Sequence, residues 1–587
     1  MAGLKLDKLY FSYLKEGKKK PVFSGLNLKI EGNLISITGP DGSGKTTLLK
    51  LLAGNLKPTS GDCLILDNAL KKHAAFGYMP EKLGLYEELS VIHNLHFFCA
   101  IKDKDPAQNE DKLNKLLTKV GLIKFKDYQV SALSGGMKQK LALCCTLATE
   151  PKIIILDAPT VGVDPLSRRE IWDIIFEYIK SNDAFCIFST SYLEEAQKAQ
   201  ICIFLKDGKI ISCAPPDNLL KNITARCFSF MCNDHYKDLL HFFILNKEKY
   251  FNFLSDIFPR QGRIDLLTVK SCSIAELDAE LKKLLPFIDF KLVLRRPFLE
   301  DVYIALNENT NLPEYKKALH EVNSSNIIKA QNNNEDIIKV SGIKKKFGNF
   351  TAVHHSSFTV QSGEIFGLLG PNGAGKTTTF RMMCGLLNPT YGSILINGFD
   401  LRKAKAAVRG QIGYVSQKFS LYKKLTLKQN IEYFAGSYGL YGKEKTERIS
   451  YLIDDFLLRP YCEVLGEDLP FGIQRQLSMA CALLHKPKIL FLDEATSGAD
   501  PSARRIFWQR IIELSAQGTS VIVTTHFMEE AEYCDRFLIQ DQGTILCLGA
   551  PDKICVKDGK RISVEETFMQ KVEEFRLKTK EAANESP

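Results

Sequence analysis

The chain carries one stretch twice. Residues 34–65 read "LISITGPDGSGKTTLLKLLAGNLKPTSGDCLI", and residues 365–396 read "IFGLLGPNGAGKTTTFRMMCGLLNPTYGSILI". Further landmarks follow in the same order in both halves, which makes the chain a tandem duplication. Whatever fold one half adopts, the other adopts as well.

Each copy opens with an apolar strand that runs into G-x-x-x-x-G-K-T. The first loop comprises Gly39, Pro40, Asp41, Gly42, Ser43, Gly44, Lys45 and Thr46, followed by Thr47; the second comprises Gly370, Pro371, Asn372, Gly373, Ala374, Gly375, Lys376 and Thr377, followed by Thr378. Glycines at these positions let successive backbone N–H groups wrap a polyphosphate at the positive end of a helix. Lys45 and Lys376 would reach the β- and γ-phosphates, and Thr46 and Thr377 would offer a hydroxyl to Mg²⁺. A second apolar strand ends in Asp157 in one half and Asp493 in the other, placed to hold the same cation. The expected fold is α/β, with two P-loop NTPase domains in tandem binding a nucleotide polyphosphate and Mg²⁺.

Twenty residues before Asp157, counting from Met137, lies "LSGGMKQKLAL" (residues 133–143). The same spacing before Asp493 reaches "LPFGI" (residues 469–473). The Ser-Gly-Gly turn resembles the signature of the ATP-binding cassette (ABC) family, and the resemblance covers about residues 4–224 and 337–553. It implies that two cassettes pair head to tail, each ATP lying between the phosphate loop of one and the signature of the other. Ser134, Gly135 and Gly136 would then address the γ-phosphate of nucleotide held by the second cassette. It further implies an aromatic that stacks on adenine. Tyr13 and Phe347 fit that position and fit equally as core aromatics. A Q-loop residue is implied at Gln417 and Glu81, with Gln417 also a metal ligand. A switch histidine is implied at His526, where the first half has Ser191, and Asp164 and Asp500 would form the D-loops.

The departures from the family pattern are Glu81, Ala158 and Ser191 in the first half, with Pro470 and Phe471 in the second signature. Under head-to-tail pairing all of them fall on one ATP site. The other combines Lys376, Thr377, Gln417, Asp493, Glu494 and His526 with the intact first signature. Glu494 would polarise the attacking water, aided by His526 and Gln417 as the other catalytic residues, whereas the methyl of Ala158 has no such capacity. Pro470 is tolerated in the first turn of a helix but offers neither a hydroxyl nor an N–H. The expectation is one hydrolytic site and one that holds ATP.

The expected domains are an ABC ATPase domain over 1–224, a small α/β appendage over 225–307, and an Asn-rich linker over 308–336. A second ABC ATPase domain spans 337–553 and a helical tail 554–587, its end from about 573 expected to be mobile. Strand-like runs "ARCFSFMC", "RIDLLTVK" and "FKLVLRRP" and the helical "SIAELDAELKKLL" mark the appendage, which resembles one found in drug-exporter ATPases.

No apolar run approaches the roughly 20 residues of a membrane-spanning helix. The amino terminus lacks the pattern of a secretory signal, and the sixteen cysteines form no CxxC pair, as expected for buried thiols in a reducing cytoplasm. A net charge of +10 does not by itself choose a partner. The text after the Q-loop, "LYKKLTLKQNIEYFAGSYGLYG" and "LYEELSVIHNLHFFCAIKD", resembles the region of type-two ABC exporters on which a permease helix seats. The implied function is the ATP-hydrolysing subunit of an exporter of drugs or other amphiphiles. It would be peripheral on the cytoplasmic face of the membrane through two separate permease subunits, with no specific nucleic acid as partner. The alternative is a soluble ABC-F-like translation factor, whose linker is normally a pair of long charged helices and whose two sites normally both keep the glutamate.

Overall fold

The computed structural model describes residues 3–15, 18–66, 76–102, 109–232, 236–286, 288–307, 335–403, 408–417 and 419–584. Residues 308–334, nearly all of the expected linker, lie outside them. The chain forms two compact units: Met1–Thr224 with Pro297–Leu306, and Ala225–Arg296 with Asn307–Pro587.

In the first unit a six-stranded sheet runs Phe76–Met79, Ile153–Asp157, Phe185–Ser189, Leu34–Thr38, Ile201–Lys206 and Lys209–Ala214. The first five strands are parallel, and the last returns antiparallel through the Asp207-Gly208 turn read as a hairpin tip. Strands such as "LISIT" and "FCIFS" are buried along their whole length, as parallel strands covered on both faces must be. A second, antiparallel sheet pairs Gly3–Lys15 with Lys18–Glu31 and Ser60–Leu66. Its inner leucines and Phe23 share a core with Leu48, Leu49 and the central strands.

The second unit repeats this plan. Its main sheet runs Ile412–Val415, Ile489–Asp493, Ser520–Thr524, Ile365–Leu369, Arg536–Asp541 and Thr544–Gly549, beside an antiparallel sheet built on Asp336–Phe347 and Phe350–Gln361. The tail helix Val564–Asn584 lays Val564, Phe568 and Val572 into a core with Leu369 and Phe537. Arg576 Nε donates to Asp541 Oδ2 at 2.8 Å, so the charged end expected to be loose is fastened at least that far.

Residues 225–296 form a four-stranded antiparallel sheet in the order Leu254–Arg260, Arg263–Thr268, Cys227–Met231, Lys291–Leu294, with helices Tyr236–Leu245 and Ile274–Leu284. The strand Leu254–Arg260 and the helix Tyr236–Leu245 were not anticipated. "YKDLLHFFIL" is too uniformly apolar for periodicity to declare its face, because it is buried among phenylalanines of the appendage and also meets the second cassette. Although these residues follow the first cassette in sequence, they belong to the second unit, whereas helix Leu299–Asn307 returns Tyr303 to the first, against Phe204.

All sixteen cysteines are free thiols, and burial pushes those of Cys144, Cys145, Cys481 and Cys534 far up. No helix among the described residues is long and apolar enough to cross a membrane.

Candidate nucleotide sites

Both phosphate loops lead from a buried strand into a helix, Lys45–Leu52 in the first unit and Lys376–Met383 in the second. Gly44 and Gly375 precede these helices with φ of 104° and 95°, which a side chain would strain. A Cβ at Gly39 would lie 1.8 Å from the carbonyl oxygen of Leu205, and one at Gly370 would lie 2.2 Å from that of Gln540. The loops can therefore follow this path only with glycine there. Lys45 Nζ donates to the carbonyls of Gly39 and Pro40 at 2.7 and 2.9 Å, and Lys376 Nζ to those of Gly370 and Pro371 at 2.5 and 2.9 Å. Each ammonium thus stands over the concave face that its own loop encloses.

Thr46 Oγ1 donates to Asp157 Oδ1 at 3.1 Å, and Asp157 Oδ2 is buried with no hydrogen-bond partner among the described residues. Among those residues no group of three or more His, Cys, Asp or Glu is placed to hold a metal ion, and the first loop brings together one hydroxyl and one carboxylate. That set fits Mg²⁺, which takes few protein ligands and completes its octahedron with phosphate and water.

The two halves part at the next residue. Ala158 and Glu494 both have left-handed backbones, with φ of 50° and 47°. Ala158 N donates to Ser189 Oγ at 2.9 Å, and Glu494 N to Thr524 Oγ1 at 2.9 Å. The backbone that aims an acid is thus the same where the acid is missing. In the second cassette Glu494 is buried and accepts from His526 Nε2 at 2.6 Å and from Gln417 Nε2 at 2.5 Å. Burial works to raise its carboxyl, but the His526 hydrogen bond and charge, with Lys376 and Arg475 beyond, hold it below the usual carboxylate range. Burial and the adjacent Glu494 push Asp493 up, opposed by the hydrogen bond from Thr524.

The first cassette has no such constellation. The Oγ of Ser191, at the place of His526, is buried without a partner among the described residues. Glu81 stays solvent-accessible, yet partial desolvation and then Asp157 raise its carboxyl, with Lys45, Lys50 and Lys82 pulling the other way.

Ser134 caps the signature helix Gly135–Leu147, its side chain accepting from Met137 N at 3.4 Å. Helix Phe471–Ala482 forms equally well behind Pro470, without a side-chain cap. Tyr13 and Phe347 are 38% and 50% exposed, more than a core aromatic would be; Tyr13 meets Phe11 edge-on and the Lys345 ammonium lies over the Phe347 ring. Tyr13 Oη lies 3.2 Å from Thr47 Oγ1. Asp164 and Asp500 cap the helices that follow them.

Three features escaped the sequence reading. Arg475, in the decayed signature helix, donates to the carbonyls of Ser416 (2.9 Å) and Gln417 and so fixes the Q-loop. Its counterpart Gln139 reaches Val161 O instead, at 3.4 Å. Ser189 and Thr524 orient the strand-end aspartates, at 2.6 and 2.8 Å. Glu195 and Glu530 each bind two threonines: Thr160 and Thr190 in one half, Thr496 and Thr525 in the other. The doubled "EEA" in both halves was the available signal for the last.

Two such cassettes on one chain define an ATPase of the ABC class. The family model described as "ABC transporter" matches residues 23–161 and 353–497, and the chain belongs to that family. It is 38% identical over 586 residues, 97% of each chain, to the probable multidrug ABC transporter ATP-binding protein YbhF of Escherichia coli (strain K12). It is 40% identical over 215 residues to the Nod factor export ATP-binding protein I of Sinorhizobium fredii (strain NBRC 101917 / NGR234), covering 36% of this chain and 63% of that one. Among solved structures, an ATP-binding subunit of an ABC transporter is 29% identical, with a TM-score of 0.38, covering 40% of this chain and 99% of that one. The chain binds and hydrolyses ATP as members of this family do.

Proposed function

We propose that the chain is the energy-supplying subunit of an exporter whose membrane path is formed by separate permease subunits, with hydrolysis confined to the second cassette. The observation that carries the asymmetry is the Glu494 carboxylate, held ionised between His526 and Gln417, set against a methyl on the same backbone at Ala158. Glu494 takes the proton of the attacking water. His526 keeps that carboxylate aimed, and its imidazole is placed to meet the γ-phosphate or the product. Lys376 and the N–H groups of the second loop bind the phosphates. Ser134, Gly135 and Gly136 address the same γ-phosphate once the cassettes pair head to tail. Thr377, Gln417 and Asp493, and in the first cassette Thr46 and Asp157, would hold Mg²⁺, which when bound neutralises charge on the β- and γ-phosphates. The first cassette retains its loop and lysine and holds ATP without cutting it.

Docking on a permease is supported by the exposed aromatic face beside the Q-loop. Asn430, fully buried, accepts from Tyr422 N and donates to Tyr422 O, both at 2.9 Å, and so builds the loop that presents Tyr422. Tyr422 and Tyr433 meet hydroxyl to hydroxyl at 3.0 Å and are each nearly half exposed. The first cassette repeats this with Asn94 and Tyr86, whose ring meets Phe97. Drugs or other amphiphiles as cargo accord with relatives named for multidrug transport and Nod factor export, and a place at the cytoplasmic face of the membrane accords with the resemblance of the helical region to that of exporters. The compact α/β appendage, in place of two long charged helices, goes against a translation factor.

The test is co-purification from detergent-extracted membranes together with single-turnover nucleotide analysis. A permease pair in the complex, with one rapidly and one slowly exchanging nucleotide, is the expected result. Co-sedimentation with ribosomes, or two equally fast sites, would overturn it.

A further inference from the structure

The appendage meets the second cassette at the turn Met528–Tyr533 that follows His526, among other places. Lys237 Nζ donates to the carbonyls of Tyr533 and Cys534 and lies 3.2 Å from Asp535 Oδ1. From the hairpin of strands Leu254–Arg260 and Arg263–Thr268, Arg260 Nη2 lies 3.2 Å from Glu529 Oε1, and Gln261 N donates to Glu532 Oε1 at 3.2 Å. Asp256 Oδ2 accepts from Arg505 Nε at 3.0 Å. Arg505 lies on helix Pro501–Ala516, which Asp500 caps, and its Nη1 donates to Tyr533 Oη at 3.1 Å. Tyr533 in turn stacks on Trp508 of the same helix, ring centroids 4.8 Å apart.

Glu530, inside the gripped turn, binds Thr525 next to His526 and Thr496 two residues after Glu494. The side chains of Asp256, Arg260 and Lys237 are 10%, 14% and 21% exposed. Ion pairs this deep forfeit much hydration, and apolar contacts of similar size would stabilise the docking as well or better. What they add is direction.

We propose that Asp256, Arg260 and Lys237 are positioning residues for ATP hydrolysis, holding the turn Met528–Tyr533 and helix Pro501–Ala516 in the register that keeps His526 on Glu494. This rests on the reading that the second cassette is the hydrolytic one. A domain attached to the degenerate cassette would then set the efficiency of the intact one.

The test uses the full chain with Asp256→Asn, Arg260→Leu and Lys237→Met, and Asp256→Glu as the conservative variant. Displacements of about 1 Å at a distance from the chemistry cost up to about a hundredfold. Asp256→Asn should therefore lower kcat about tenfold or more with KM for ATP within about twofold, and Asp256→Glu should recover most of it. Amide hydrogen exchange over residues 525–535 should rise in step. In a His526→Ala background, Asp256→Asn should cause no further loss, because its route of action is already gone. An equal fold-loss in both backgrounds, or unchanged kcat in folded Asp256→Asn and Arg260→Leu proteins, would overturn the proposal. If Lys237→Met fails to fold, the other two variants carry the decision. Glu494→Gln is measured alongside: retained hydrolysis there refutes the assignment of the second cassette, while the exchange result still reports whether the appendage restrains the turn.

Discussion

Glu494→Gln removes a charge and very little volume, so its effect can be worked out closely. The carboxylate is buried and accepts two hydrogen bonds, from His526 Nε2 at 2.6 Å and Gln417 Nε2 at 2.5 Å. A glutamine keeps one acceptor for one of these donors and turns its NH₂ toward the other. It loses one charge-assisted bond, worth about 1.5–3 kcal/mol, and regains part of it by no longer burying a charge, so thermal stability should move little. The rate has no such compensation, because an amide cannot take the proton of the attacking water. A positioned base contributes about 10² to 10⁴ in rate, or about 3 to 5 kcal/mol. Phosphate release from the full chain should fall at least a hundredfold, with ATP affinity changed by less than about threefold, since the phosphate-binding groups are untouched. The residual rate reports the first cassette, where Ala158 already lacks the acid. A residual rate above about one tenth of wild type would refute the reasoning, because it would require the methyl-bearing site to hydrolyse or another group to serve as base.

Ala158→Glu should not restore turnover in the Glu494→Gln protein despite the retained backbone, since Ser191 and Glu81 still stand where a histidine and a glutamine are wanted; phosphate release decides it. Arg475→Gln, which copies Gln139, leaves the partly exposed carbonyls of Ser416 and Gln417 without this donor; it should cost about 0.5–1.5 kcal/mol in urea unfolding and lower kcat. Gly39→Ala and Gly370→Ala drive a methyl into a carbonyl oxygen 1.8 and 2.2 Å away, and each should abolish nucleotide binding at its own loop, read by filter binding. Glu494 has a folded carboxyl below its unfolded value of about 4.3, so its contribution to stability is complete above that value and lost as pH falls through the lower folded one. The small difference between the melting curves of wild type and Glu494→Gln at neutral pH should therefore shrink further as pH falls below about 4.

The duplication, both phosphate loops and the strand-end aspartates were legible because each is a local pattern whose chemistry depends on spacing along one short segment. The asymmetry at Ala158 and Ser191 was legible for the same reason, once the halves could be laid side by side. Arg475 was not, because an arginine two residues beyond a decayed signature looks like any polar position on a helix; its partners, Ser416 and Gln417, lie 59 and 58 residues away. The helix Tyr236–Leu245 was missed because it is apolar nearly all round, buried by its own sheet on one side and the second cassette on the other. That the appendage folds with the cassette it does not follow rests on long-range pairs such as Asp256–Arg505, 249 residues apart, which no local pattern announces.

The membership of residues 225–296 in the second unit also bears on how the protein could be divided. A cut between residues 308 and 334 would leave one fragment carrying the smaller part of a shared apolar core and the other fragment carrying the rest. Expressed apart, the fragment beginning near residue 335 would expose the surface that the appendage covers. Expressed together, the two pieces should find each other by completing that core, so the chain behaves as a split protein whose halves are specified as partners by the appendage.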